Sequence, residues 1–444
     1  MCRIAVIGSG IAGLSAARCL ATAPGQHVVT LLEAGAHFGG HANTVDLTLD
    51  GVSQGVDTGF LVFNHRTYPL LTSLFQDLQV VTAEAEMSFS VQVPHADGGA
   101  GLEWSGSSLN GVFAQRRNLL RPRFVGMLAD IVRFNRLATR LAEAGSDAAL
   151  HSDIGGFLDA HGFGASFRQD YLLPMMGCIW SCPTDQMLRF PVATLIRFCH
   201  NHGLIQITHR PQWHTVRGGS RHYVRRLVAA LQHGGHEARL NAPVLGLRRT
   251  AHGVLLQLAH GTEQFDAVVL ACHSDQALRL LGNDATPQER SVLGAIRYQA
   301  NEAVLHTDAR VLPRRQAAWA AWNYERAADR RQDQAGVCLH YLLNRLQPLP
   351  WQQPVVVSLN PVRAIDDRQV HARIAYSHPV FDLAAIEAQA RVGDLQGVRR
   401  TWFCGAWCGY GFHEDGLRAG VEAAEGLLNA LPSLAQRPAL KGAA

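Results

Sequence analysis

The first thirty-three residues alternate between two hydrophobic regimes. Arg3 to Ile7 is a short, nearly unbroken apolar run of strand length. Gly8, Ser9 and Gly10 interrupt it, and from about Ile11 apolar residues recur at helical spacing. A second strand-like run, His27 to Leu32, stops at Glu33. Further on, "VRGGSRHYVRRLVAAL" (Val216 to Leu231) predicts a glycine turn leading into an amphipathic helix. Strands and hairpins are expected from His236 to Cys272, with Asp266 to Cys272 as a buried strand. Near the end, Thr401 to Cys404 predicts a strand and Gly416–Leu417 the opening of a last helix. Between them lies "CGAWCGYGFHEDGLRAG" (Cys404 to Gly420), rich in glycine and aromatic residues. The central stretch "DYLLPMMGCIWSCP" (Asp170 to Pro183) is apolar without helical charge spacing and has two readings, core of a second region or the wall of a tunnel for an apolar chain, with Met as an adaptable lining.

The glycine spacing at the start gives the first pattern a chemistry. Gly8, Gly10 and Gly13 form G-x-G-x-x-G between a strand and a helix. Gly8 permits the tight turn, Gly10 admits a pyrophosphate against the backbone, and Gly13 lets helix and strand pack closely. Ile11 and Ala12 then sit at a helix start, where N–H donors and the positive dipole end face phosphate. Glu33, followed by Ala34, is placed to accept hydrogen bonds from ribose hydroxyls. Together these features predict a Rossmann-type dinucleotide site.

Composition narrows the class. A chain of 444 residues, 47% hydrophobic and 17% charged, is globular and too long for one ordinary core, so two domains are expected. No charge-free apolar run reaches the roughly 18–20 residues of a bilayer span. The strand pattern begins at once, leaving no room for a signal peptide, and a cytoplasmic location is expected. Nine scattered cysteines predict reduced thiols, and the C-x₃-C pairs Cys178/Cys182 and Cys404/Cys408 lack the further ligands of a metal site, so no metal is expected. Net charge is only +4, but Arg116, Arg117, Arg121, Arg123, Arg133, Arg136 and Arg140 share a segment whose only acid is Asp130. Two readings of that segment stand: a solvated helix face, or a basic amphipathic element meeting anionic lipid at the inner face of the membrane. The rest of the chain is not basic, so nucleic acid is not an expected partner.

Several motifs resemble a known family. "AGAHFGGHANT", with Gly39 and Gly40, resembles the glycine pair that follows the Rossmann unit in FAD-dependent oxidoreductases of the amine oxidase and phytoene desaturase superfamily. "GVDTGFLVF" (Gly55 to Phe63) resembles the next flavin-proximal segment, and "TWFCGAWCGYGFHEDGLRAGVEAAEGLL" the closing flavin motif. "DTGFLVFNHRTYP", "CIWSCP" and "GYGFHEDGL" further resemble a bacterial subgroup of amine-oxidase-like NAD/FAD-binding flavoproteins. The resemblance implies non-covalent FAD, with Asp57, Thr58 and Gly59 near the ring, Val244 meeting the adenine, and Gly405, Gly416 and Leu417 at the pyrimidine. Two positions depart from the pattern. His41 stands where arginine is frequent, and Ala406 replaces the acid after Gly405 that binds ribityl hydroxyls, with Asp415 as the stand-in.

The expected architecture is α/β: an FAD-binding domain of residues 1–80, 212–285 and 395–435, interleaved with a mixed-sheet and helical substrate domain of 81–211 and 286–394, then a tail, 436–444. The expected activity is hydride transfer to flavin from a hydrophobic, lipid-like substrate, by desaturation, oxidation or isomerisation. Amine oxidation is the alternative. It is disfavoured because many amine oxidases of this fold hold a water with a buried lysine, and the only lysine here, Lys441, lies in the tail. A flavin-stabilised partner of a lipid-modifying enzyme is the reading outside catalysis. His378 and His413 are the candidate acid/base residues, Trp180, Trp407 and Tyr410 the candidate substrate walls, and the electron acceptor stays open.

Overall fold

The computed structural model describes residues 2–94, 101–144, 152–206, 210–328 and 336–435; the 436–444 tail with Lys441 lies outside them. At its centre is a five-stranded parallel sheet, in the order Glu237–Arg239, His27–Leu32, Cys2–Ile7, Ala267–Leu270 and Thr401–Phe403. Strands from near both ends of the chain thus share one sheet, with Ala267–Leu270 between them. Ile4 and Val6 face one apolar layer, and Ala5 and Ile7 face another. That two-sided burial explains why the first strand reads as an unbroken apolar run. Helix Ile11–Thr22 and the closing helix His413–Ala435 cover the first face. An antiparallel sheet of three strands, Val244–Thr250, Gly253–Leu258 and Gly261–Phe265, packs on the other.

A second sheet has seven strands, in the order Val370–Val380, Arg297–His306, Val356–Leu359, Cys338–Leu342, Trp322–Glu325, Phe89–Val93 and Leu102–Ser105. All its pairings are antiparallel except that of Trp322–Glu325 with Phe89–Val93. Over it lies a helical layer, including Pro122–Ala144, Leu173–Trp180 and Val192–Asn201, with its own core of Phe134, Phe167, Trp180, Phe190 and Leu195. The central stretch that lacked charge spacing is therefore mostly helix. In Leu173–Trp180 every residue except Ile179 is buried, and a helix buried all round leaves no polar face to betray its period.

The closing helix also starts earlier than its sequence suggests, at His413 instead of Gly416. The Asp415 carboxylate accepts from the backbone N–H groups of Tyr410 and Phe412 and so closes the turn ahead of the helix. Gly411 takes a left-handed φ of +93° within it. The two helices that cover the parallel sheet pack backbone to backbone. A Cβ on Gly420 would lie 2.2 Å from the Ala12 carbonyl oxygen and 2.1 Å from Ser15 Oγ. Ser15 Oγ donates across this contact to the Leu417 carbonyl at 3.1 Å. Gly420→Val should therefore part the helices and lower stability by about 1–3 kcal/mol or more, read from urea denaturation. An unchanged midpoint would mean that the helices can separate without cost.

Candidate active site

One large cavity, about 1300 Å³, runs from the carboxyl ends of the parallel strands to the space between the seven-stranded sheet and the helical layer. Its first section is built by backbone. Gly8 sits at φ +100°, and a Cβ there would come within 2.8 Å of the Ala271 carbonyl oxygen. Gly13 is tighter still, since its Cβ would meet the Gly8 carbonyl oxygen at 1.9 Å, so the first helix rests directly on its strand. Gly10 is the N-cap of that helix, without a side-chain cap and without an acid in the first turn. A Cβ on Gly10 would meet nothing within 4 Å, so its N–H groups and dipole end face open cavity. That is a cradle for an anionic group.

Glu33 ends the neighbouring strand and lines the same section. Its Oε2 accepts from Ser9 N at 2.9 Å and Ser9 Oγ at 2.5 Å, and its Oε1 from Gly35 N at 2.8 Å. The carboxylate is therefore aimed, not mobile. Ile11, Ala12, Ala34, Gly39, Gly40, His41, Gly59, Val244 and Gly405 also line the cavity.

Further in, a group of rings surrounds the cavity. His41 stacks on Tyr376 with centroids 4.7 Å apart and meets the edge of His378 at 5.3 Å. Asn360 Nδ2 donates to Asn301 Oδ1 at 2.7 Å, which fixes the amide so that Asn301 Nδ2 donates to His378 Nδ1 at 2.8 Å. With Nδ1 accepting, the proton of neutral His378 sits on Nε2. Burial, and after it His273, pushes the His378 pKa down to about 4. His413 stacks on Phe60 at 3.8 Å, its Nε2 lies 3.1 Å from the Tyr223 hydroxyl, and burial holds its pKa down to about 3. Both histidines line the cavity, and both are neutral near pH 7. His378 can donate a hydrogen bond there without carrying charge.

Other residues singled out in the sequence sit elsewhere. Asp57 and Thr58 do not line the cavity. Asp57 is buried and ties loops together, accepting from Ser220 N, Ser220 Oγ, Thr44 Oγ and Gln347 Nε2, while Thr58 Oγ meets the Tyr376 hydroxyl at 2.9 Å. Gly416 and Leu417 lie inside the helix, where the Gly416 N–H is taken by the Phe412 carbonyl. The residues of the closing segment that reach the cavity are Gly405, Ala406, Trp407, Gly411, Phe412 and His413. Asp415 spends its carboxylate on its own loop. Trp180 is enclosed by Phe190 and Phe198 and is not a wall. Tyr410 packs toward Phe198 without lining the cavity. Trp407 touches the cavity but is a packing residue, 2% exposed, with its indole N–H donating to the Cys272 carbonyl at 3.0 Å. The apolar walls are instead Phe89, Trp104, Tyr171, Met175, Ile179 and Phe198. Tyr171, Met175 and Ile179 come from the apolar stretch Asp170 to Pro183, whereas no local pattern marked Phe89, Trp104 or Phe198. His273 had one usable signal, its place just past the end of a parallel strand.

The model of flavin containing amine oxidoreductases matches residues 11–326. The chain belongs to this family. As a member it is a flavin-dependent oxidoreductase, and the uncapped helix start beside Gly10 suits an anionic group of a bound cofactor. Solved structures share the fold across nearly the whole chain. A proposed protoporphyrinogen oxidase from Exiguobacterium sp. 255-15 is 18% identical, with a TM-score of 0.66, over 95% of this chain and 98% of its own. A CLA-producing fatty acid isomerase from P. acnes is 16% identical, TM-score 0.63, over 96% and 98%. Cyclohexylamine oxidase from Brevibacterium oxydans IH-35A is 15% identical, TM-score 0.65, over 97% and 99%. No curated protein matches the sequence.

The buried histidines carry a pH signature. Because the folded pKa of His378 is depressed from 6.5 to about 4, the stability it contributes is full above 6.5 and is lost as pH falls through about 4. The melting temperature of the wild type should therefore drop more steeply between those pH values than that of His378→Gln. Parallel curves would show that His378 is charged, or exposed, in the folded protein.

Proposed function

We propose that the protein uses non-covalently bound FAD to take hydride from a C–H bond of an apolar, lipid-like substrate, either for oxidation or desaturation with loss of a proton, or for isomerisation with return of the hydride to another carbon. The supporting observation is the wall of the inner cavity. Phe89, Trp104, Tyr171, Met175, Ile179 and Phe198 offer an aliphatic or polyene chain shape and dryness, with no ionised group among them. The acids that line the cavity lie elsewhere: Glu33 on its strand end, and the exposed Glu84 and Glu86. An alkylammonium ion would have no counter-charge beside these walls.

The choice of FAD rests on the paired features of the first section, an anion cradle at Gly10 and an aimed carboxylate at Glu33, which suit pyrophosphate and ribose. When bound there, the flavin would supply the hydride-accepting ring. The chain's own residues would bind its phosphates, orient it against His41 and Gly59, and exclude water with Phe412 and Tyr171. His378 would hold its Nε2 proton toward the cavity as a neutral donor. Non-covalent binding is supported by the thiols. Cys272 alone among the described cysteines lines the cavity, and burial pushes its pKa up to about 12, which leaves little thiolate to form a bond.

Two measurements test this reading. Glu33→Ala removes a charge-assisted acceptor worth about 1.5–3 kcal/mol and should weaken FAD retention roughly ten- to hundredfold. FAD that can be retained equally by the variant on dilution would remove Glu33 from the ribose contact. Without oxygen, unsaturated lipids should either bleach the bound flavin or, in an isomerisation, be converted while it ends yellow, and short alkylamines should do neither. Bleaching by amines alone would overturn the substrate class and favour amine oxidation.

A further inference from the structure

Residues 104–129 contain no acid, and this acid-free stretch carries an inverted turn of helix. At the 3₁₀ turn Arg116–Leu120 two neutral amides point in, while the leucines point out beside the arginines. Gln115 and Asn118 are buried, with Gln115 Nε2 donating to the Gly101 carbonyl at 2.8 Å and Asn118 Nδ2 to Gln115 Oε1 at 3.3 Å. Leu119 and Leu120 are pushed outward, 52% and 88% exposed, and Leu109 and Val125 on the flanking turns are 80% and 47% exposed. Four of the nine large hydrophobic residues exposed among the described residues thus lie within 109–125. Single exposed leucines need no explanation, but a cluster held outward by buried amides does.

Charge identifies what covers it. Arg116 reaches only neutral oxygens, the Phe113 carbonyl and Asn110 Oδ1. Arg121 is exposed and follows the leucines directly. Arg123 is instead drawn to Ser166 and Asp170, and Arg117 reaches back to the Gly101 carbonyl. Arg314 and Arg315, also exposed, precede the short turn Gln316–Ala318 that packs beside Leu109–Val112, with Arg315 paired to Glu103 at 3.4 Å. A protruding apolar tip ringed by arginines suits an interface with acyl chains below and anionic headgroups around it.

The patch also adjoins the cavity. Trp104 lines the cavity and packs its ring on Phe124, in the first turn of the helix that follows Arg121, with centroids 6.1 Å apart. Gly106 lines the cavity and is itself exposed, three residues before Leu109. No helix among the described residues is long and apolar enough to cross a membrane, so contact of this kind would be peripheral.

We propose that Leu109, Leu119 and Leu120, with Arg116 and Arg121, dock the protein on an anionic lipid surface and set the Gly106 end of the cavity against it. The proposal deepens the reading of an apolar substrate by giving that substrate a source, but its test needs no turnover. The flavin-loaded protein is floated with vesicles of phosphatidylcholine alone, or of phosphatidylcholine and phosphatidylglycerol in equal parts. It should bind the mixed vesicles, ignore the neutral ones, and come off as salt rises. Arg116→Gln with Arg121→Gln should weaken binding roughly thirtyfold, at about fivefold for each arginine. Leu120→Asp should weaken it at least tenfold. All variants should keep wild-type flavin content, since the altered side chains face solvent. Binding that ignores lipid charge, or variants that bind like the wild type, would overturn the proposal. So would a patch that joins two copies of the chain, seen as a dimer in solution that Leu120→Asp dissolves without any vesicle binding.

Discussion

The site depends on one contact, the near-touching of the first and last helices at Gly420 and Ala12. Any side chain larger than glycine at position 420 would hold the helices apart. Because they meet, residues 8–12 line one cavity with 405–407 and 411–413, although about four hundred positions separate them in sequence. The same economy recurs at Gly13, whose missing side chain lets the first helix lie on its own strand. Backbone is thus brought to the edge of the cavity where phosphates must be met, and the helix start stays uncapped so that its donors are unspent.

Beyond that cradle the cavity changes character. Fixed polar groups give way to rings and aliphatic side chains supplied by the helical layer and the inner face of the seven-stranded sheet. At the junction are histidines that burial keeps neutral, with His378 held by the Asn360–Asn301 relay. On the opposite face of that sheet a second polar network is closed on itself. His340 bonds to Ser358 and Glu325, and Arg363 pairs with the Glu325 carboxylate at 2.7 Å, so the buried Glu325, Cys338 and His340 spend their polarity on each other and on that arginine. The two faces therefore differ: one sets this polar network beside a small apolar cluster of Val304, Leu342 and Val356, and the other is open to a ligand.

The sequence by itself determined the glycine turn at residues 8–13, the strand ending at Glu33 and the flavin-containing family. Those features are local, since a turn that needs glycine or a strand that must stop at a carboxylate is written in consecutive residues. Tertiary structure decided the rest. Trp407 and Trp180 had the composition of walls, yet one bonds to Cys272 and the other lies between phenylalanines. Asp57 looked flavin-proximal but serves Thr44, Ser220 and Gln347. Leu173–Trp180 concealed its helix because burial on all sides erases the polar period. The arginine segment, uniform in sequence, divides into side chains tied to Ser166, Asp170 and Asp130 and others left facing solvent. Whether a side chain meets ligand, core or water depends on neighbours hundreds of residues away, and only the packed chain brings them together.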